Sequence, residues 1–416
     1  MDKKPHVIFL PFPAQGHIKP LLTLARLLHL AGFDITFINS DHNHHRLLYS
    51  AASKVQDCCN PKFQFVSLPD GLPPDHPRSG PSAVDLFWST RSVMEPKFRE
   101  MVVEISRAYI AEEMEIPILV FRTYSACCTW TYFHLSSFVE TGEIPVRGED
   151  MDKPIITCIP GLEGLLRHRD LPNICRWESN DPVVSFFISE TSRMARASAL
   201  ILDTFDDLEG TIISRLGTIF TKIYTIGPLH GLLRSRTATT NFGSQIVLSH
   251  EQLLEFWYGL VNSGKPFLWV IRVDQVEGHE CACPGQGPDE LERATKERGL
   301  MVNWAPQEEG IFAGVPMVGW PKIADQPVNS RCISELWKIG FDMKDVCNRN
   351  VVEKMLRDVM DDKGAEIVES VNCIAKKARE SVEVKIGISV SPAFQLWKDF
   401  YGTMIFQVSA NWKVII

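Results

Sequence analysis

Short β-branched and aromatic runs alternate with helical stretches along most of this chain, and that alternation restricts its fold more than any other feature. Residues 7–11 form an apolar run bounded by Pro5 and by the turn residues Pro13, Ala14, Gln15 and Gly16, so they read as a buried strand. Apolar residues then return at Ile18, Leu21, Leu22, Ala25 and Leu28, a helical period that Gly32 ends. A second strand follows at 34–39 (DITFIN), a histidine-rich helical stretch at 42–50, and a third strand at 63–68. Strands that are apolar on both faces and separated by helices belong to a parallel sheet covered on both sides.

The alternation continues with a long helical stretch at 83–109, a strand at 116–121 and an aromatic-rich helix at 125–140. Residues 142–180 are rich in Pro, Gly and charge without a period, and predict a surface loop with short helical turns. Helix 185–197, strand 199–203, helix 208–216 and strand 224–228 come next. Residues 232–240 (LLRSRTATT) are polar and aperiodic, the signature of a linker. After them the pattern restarts: helix 251–261, strand 267–272, helix 289–298, strand 300–303, strand 315–319, and helices at 326–339, 351–361 and 365–384. The reading is two sequential α/β domains, residues 1–235 and 241–384, followed by a tail at 385–416. Ligands of such folds sit outside the carboxyl ends of the strands, here in the cleft between the domains.

Composition removes several function classes. The chain has 416 residues, 45% of them hydrophobic, and a net charge of −8 with no Lys/Arg run, which argues against a nucleic-acid surface. Its eleven cysteines include no CxxC pair, so neither a zinc nor a redox site is indicated, and an odd count fits reduced thiols in a cytosolic protein. The N-terminus is a poor signal peptide, and no apolar stretch reaches the roughly 18 residues needed to span a bilayer. His42, His44 and His45 lack the i,i+4 pairing of helical zinc ligands, and a solvated helix face explains them better.

Three places could carry chemistry. His17 stands where the first strand has turned into the first helix, facing the strand ends. The helix N-terminus disfavours its charged form and keeps it available as a base, while a capping or solvent-facing histidine is the plainer alternative. PAQGH around it is not a GxGxxG fingerprint, so a dinucleotide site is unsupported and a nicotinamide-dependent oxidoreductase is disfavoured. Asn241-Phe242-Gly243-Ser244 can offer backbone N–H groups to a phosphate, or can be a plain turn. Residues 304–326 (WAPQEEGIFAGVPMVGWPKIADQ) place an indole, Trp304, three residues before an amide, Gln307, and a carboxylate–amide pair, Asp325-Gln326, just past a strand. The first pair can stack on a base and bond a sugar hydroxyl; the second can hold two hydroxyls of another sugar. Trp88, Phe121, Trp130, Phe133 and Phe138 either pack the core or line an apolar acceptor pocket.

Taken together, FPAQGHIKPLLTLARLL, IYTIGPL, NFGS, FLWVIR and WAPQEE…AGVPMVGWPKIADQPVNSR resemble plant UDP-dependent glycosyltransferases, and the likeness runs from Pro5 to about Ser381. INSDHNHHRLL, VFRTYSACC, GEDMD and RHRDLP are most similar to the branch that glucosylates the iridoid 7-deoxyloganetic acid. The resemblance implies a GT-B fold, two Rossmann-like domains with the acceptor in the first and the UDP-sugar mainly in the second. It implies His17 as general base, Trp304 on uracil, Gln307 on ribose, Asp325 and Gln326 on glucose and Ser244 near the phosphates. It further implies a monomer that takes a UDP-sugar and a small hydrophobic acceptor, with no metal or other cofactor.

The departures are local. Between Glu309 and Ala313 only Gly310-Ile311-Phe312 remain where the family carries a segment with HCGWNS and a following Glu, so the diphosphate-holding groups and the ribose carboxylate are gone. Groups of that kind are often worth about 3–4 kcal/mol each. Between Ala111 and Glu115 the family's strand and SDG-type turn are missing, with the aspartate that orients the base; Glu112, Glu113 and Glu115 are the nearby carboxylates. A strand and linker are shortened before Asn241, and residues 384–416 do not resemble the family's closing helix. Losses with intact flanks look like skipped coding segments. They leave two readings: a glucosyltransferase, or an impaired form that only binds a small molecule.

Overall fold

The computed structural model describes residues 6–50, 61–78, 82–101, 117–234, 249–265, 267–270, 288–302, 310–321, 324–344, 347–361, 364–387 and 412–415. Its main sheet is built from β1 (His6–Phe9), β2 (Asp34–Ser40), β3 (Phe63–Leu68), β4 (Ile118–Arg122), β5 (Ala199–Leu202) and β6 (Ile223–Thr225). Later in the chain come β7 (Phe267–Val270), β8 (Gly299–Val302), β9 (Met317–Gly319), β10 (Gly340–Asp342) and β11 (Trp412–Ile415). The sheet order is β3-β2-β1-β11-β4-β5-β6, and every pairing is parallel.

Neighbouring residues of a strand point to opposite faces, and the core divides accordingly. Val7, Phe9, Ala199 and Ile201 pack on one face with Leu21, Leu24, Ala25 and Leu28 of the helix Gln15–Leu30. Leu200 and Leu202 pack on the other face with the helix Ala126–Phe133, and Val328 and Cys332 of the second half join that cluster. Leucines of the first helix four and three residues apart form one stripe, which is why the segment is helical and why it lies against this sheet.

The tail contributes a strand to the first sheet. β11 lies between β1 and β4, with Val414 opposite both Ile8 and Ile118, so a strand from the tail stands in the middle of this sheet. The long helix Ala365–Gly387 leads towards it, and its Val382 joins the first-domain core beside Leu232. Leu232 is 2% exposed and sits in the helix Leu229–Arg234, so the stretch read as a linker starts as packed helix.

Among the described residues the second half holds two separate parallel pairs, β7–β8 and β9–β10. β10 falls where a continuous helix over 326–339 was expected to have just ended. The observed helix Gln326–Arg331 gives way to a π-turn, Cys332–Leu336, and then to the strand. Only glycine fits at position 340: a Cβ there would lie 1.9 Å from the Met317 carbonyl oxygen of the partner strand. A three-residue strand opening on glycine gives no period to read. The helix expected at 125–140 is likewise split at His134 into Ala126–Phe133 and Leu135–Glu140.

Candidate active site

His17 lies in the first turn of the helix Gln15–Leu30, its backbone N–H donating to the Ala14 carbonyl at 2.9 Å. The turn ahead of it is held by Asn43, whose side-chain amide donates to the Pro13 carbonyl at 2.8 Å. The end of β4 brings Thr123 beside the ring, with Oγ1 3.3 Å from His17 Nδ1. When the hydroxyl accepts from Nδ1–H, the lone pair on Nε2 is left to take a proton, the role an orienting carboxylate plays in catalytic triads. Thr123 thus occupies the place for which Glu112, Glu113 and Glu115 were the sequence candidates; those three lie outside the described residues.

Burial first and the Arg122 charge second lower the His17 pKa from 6.5 to about 4. The sequence reading assigned this effect to the helix N-terminus; here desolvation comes first and the neighbouring guanidinium second. The folded state therefore favours neutral imidazole. That contribution to stability is full above the unfolded pKa and is lost as pH falls through 6.5 towards 4. For the same reason the acid limb of a pH–rate profile is expected near 4. A limb at 6.5 would mean that the working base is solvated.

Across the cleft, Asp325 immediately precedes the helix Gln326–Arg331. Its Oδ2 accepts from Asn329 Nδ2 at 2.6 Å, and Asn329 Oδ1 accepts from Ser125 Oγ, also at 2.6 Å. Two hydrogen bonds thus tie the carboxylate to the first domain. Burial holds the Asp325 pKa above the ordinary carboxylate value, opposed by the Asn329 bond and the Arg122 charge. Gln326 opens the same helix. Further contacts fix this helix against the first half: Ala324 N–H donates to Asn173 Oδ1 at 2.8 Å, and Arg331 Nε to the Leu165 carbonyl at 2.8 Å. Ser244, Trp304 and Gln307 lie outside the described residues.

Two neighbours of His17 carry no motif in the sequence, Thr123 and Arg122. Their signal was positional: both sit at the carboxyl end of a parallel strand, where α/β folds place ligand contacts. A cavity of about 290 Å³ opens between the halves, lined by Thr123, Tyr124, Ser125 and Glu209 on one side and Asn329 and Trp337 on the other. The aromatic residues are now divided. Phe121, Trp130 and Phe138 are core, whereas Trp88 is 39% exposed beside Phe186.

An aromatic circuit encloses the base. His17 meets Phe12 edge-on at 5.3 Å, Phe12 stacks on Phe87 at 4.8 Å, and Phe87 meets Phe187 at 5.2 Å. Phe187 meets Tyr132 at 5.9 Å, Tyr132 stacks on Tyr124 at 5.6 Å, and Tyr124 returns to His17 at 6.0 Å. Such a wall suits an apolar small molecule presenting one hydroxyl to a neutral imidazole. Among the described residues no cluster of His, Cys, Asp and Glu is arranged to hold a metal ion, and no helix is long and apolar enough to cross a membrane.

Comparison with known proteins places this geometry in context. No family model matches the chain. The chain is 40% identical to a 7-deoxyloganetic acid glucosyltransferase of Catharanthus roseus, over 91% of its own length and 94% of the relative's. It is 36% identical to a mogroside I-A1 synthase of Siraitia grosvenorii, over 95% and 88%. The first alignment spans 454 positions, more than the 416 residues of this chain, so part of it opposes gaps in this chain. The structure superposes on UGT2 of Phytolacca americana complexed with UDP-2-fluoro-glucose and pterostilbene with a TM-score of 0.72, covering 96% and 99% of the chains at 22% identity. Os79 of O. sativa in complex with UDP gives 0.67, at 90% and 96% coverage and 22% identity. The two α/β halves facing across a cleft are therefore a GT-B fold, and the chain belongs to the plant UDP-dependent glycosyltransferases.

Proposed function

We propose that this chain transfers glucose from UDP-glucose, with inversion, to a hydroxyl or carboxyl of an iridoid or related terpenoid such as 7-deoxyloganetic acid. The observation that carries the reading is a buried, uncharged His17, oriented by Thr123 and walled by aromatic rings, opposite Asp325 of the other half. His17 takes the proton of the acceptor hydroxyl as its oxygen bonds to the anomeric carbon, and the bond from that carbon to UDP breaks, the electron pair leaving with UDP. Asp325 and Gln326 hold the glucose hydroxyls, Trp304 and Gln307 the uridine, and Ser244 lies near the phosphates. The step uses no metal or other cofactor. The terpenoid acceptor is supported by the 40% identical relative's acceptor. Cytoplasmic residence is supported by free thiols such as Cys158 and Cys373, and we read the chain as a monomer.

The gaps opposed by that alignment support a second reading, in which the acceptor pocket persists and the donor site is weakened. Calorimetric titration is expected to give a UDP affinity weaker than micromolar, because losing about 3 kcal/mol weakens a site on the order of a hundredfold. Micromolar binding would sink the weakened-donor reading. Transfer itself is tested by prolonged incubation with UDP-glucose and 7-deoxyloganetic acid and NMR of the product. A β-glucoside is expected, and an α-glucoside or simple hydrolysis of the donor would overturn the inverting mechanism.

A further inference from the structure

Arg122 ends β4 between the base and the sugar-side carboxylate. Its guanidinium carbon lies 4.3 Å from the ring centroid of Tyr124 and 5.6 Å from that of Tyr132, both members of the aromatic circuit around His17. Nε is buried without a hydrogen-bond partner, and among the described residues no carboxylate stands within ion-pair distance of the group. Asp325 acts on it only at longer range, its own carboxylate being engaged by Asn329. Arginine stays charged in proteins, and rings satisfy none of its five donors. A cation lying against two rings and without an anionic partner can pair with a planar two-oxygen anion.

We infer that Arg122 binds a carboxylate of the acceptor, so that this site selects an acidic small molecule over its neutral ester. This rests on the proposed acceptor reading and adds the group that recognises the acid. A carboxylate is favoured over the donor's diphosphate by position. Arg122 belongs to the first half and is embedded in the same aromatic wall that faces His17, whereas Ser244, the residue assigned near the phosphates, belongs to the second half. Bound there, the acid's carboxylate anchors one end of the acceptor while its hydroxyl meets Nε2 of His17.

The test compares dissociation constants of the full chain and its Arg122→Gln variant for 7-deoxyloganetic acid, its methyl ester and UDP, by calorimetry without turnover. The wild type is expected to bind the acid about tenfold or more tightly over the ester. Arg122→Gln is expected to abolish that preference by weakening the acid alone, leaving ester and UDP unchanged, and Arg122→Lys to restore part of it. Unchanged ester affinity shows that the variant is folded; if Gln prevents folding, the Lys variant carries the same comparison. Equal weakening of acid and ester would assign Arg122 to packing, and weakening of UDP alone would assign it to the diphosphate. Either result overturns the inference, as does a wild type that binds the acid no better than the ester. Acid-over-ester preference without any glucosyl transfer would refute the catalytic reading and leave this one standing.

Discussion

A proline at Val414 is expected to lower the unfolding free energy by about 3 kcal/mol, the upper end of ordinary single-substitution effects, and removal of residues 388–416 is expected to send the chain to the insoluble fraction. Val414 is opposite Ile8 on one side and Ile118 on the other. Proline has no N–H to give to a ladder and is excluded from central strands. Without β11, β1 and β4 stand two strand spacings apart, about 9.6 Å, too far to pair, and each presents an open edge that recruits other chains. Urea unfolding of Val414→Pro beside the wild type checks the first effect, and sedimentation of the truncated chain the second. An unchanged midpoint together with a soluble truncated chain would show that the sheet does not depend on its C-terminal strand.

The second large effect is at the base. His17→Ala is expected to reduce kcat by about 10²–10⁴, the range general-base catalysis supplies, with the affinity for 7-deoxyloganetic acid nearly unchanged. In the proposed mechanism the neutral imidazole contributes when its Nε2 takes the acceptor's proton, and the substitution leaves the other rings of the aromatic circuit in place. The comparison is best made in single turnover at saturating UDP-glucose, where any weakness of donor binding is common to both proteins. A variant that keeps most of the wild-type rate would remove His17 from the chemistry.

The two effects also show why the gaps in this chain have unequal consequences. The place between β1 and β4 is a backbone requirement that four residues able to pair in parallel can meet, and β11 does so. The segment expected at residues 310–312 would be a chemical requirement, for donors aimed at a diphosphate. In the helix Gly310–Ala313, Phe312 packs edge-on against His230 at 5.1 Å, and its carbonyl accepts from Arg379 at 3.0 Å. Orientation of the base is intermediate between these cases. One hydroxyl, Thr123 Oγ1, stands 3.3 Å from Nδ1, where a neutral ring asks for a single acceptor rather than for a compensating charge.

Legibility followed the range of the interactions concerned. The alternation of strands and helices and the place of His17 at the first strand–helix turn were readable in order along the chain, because hydrophobic period and turn residues are local properties. So was the Asp325-Gln326 pair past β9. What no local pattern could supply was the partner of each element. β11 was unreadable as a sheet strand because its neighbours lie some 400 and 300 residues away in sequence, His6 opposite Trp412 and Ile118 opposite Val414. β10 was unreadable because its one decisive residue, Gly340, is fixed by the backbone of Met317 across the pair. Thr123 and Arg122 became part of the site only when the sheet set the end of β4 beside the first helix. Sequence by itself determined the family and with it the class of chemistry, since the family pattern is written in it. Tertiary structure alone decided how the broken sheet is closed and which charge stands beside the base, because burial, desolvation and strand pairing depend on neighbours distant along the chain.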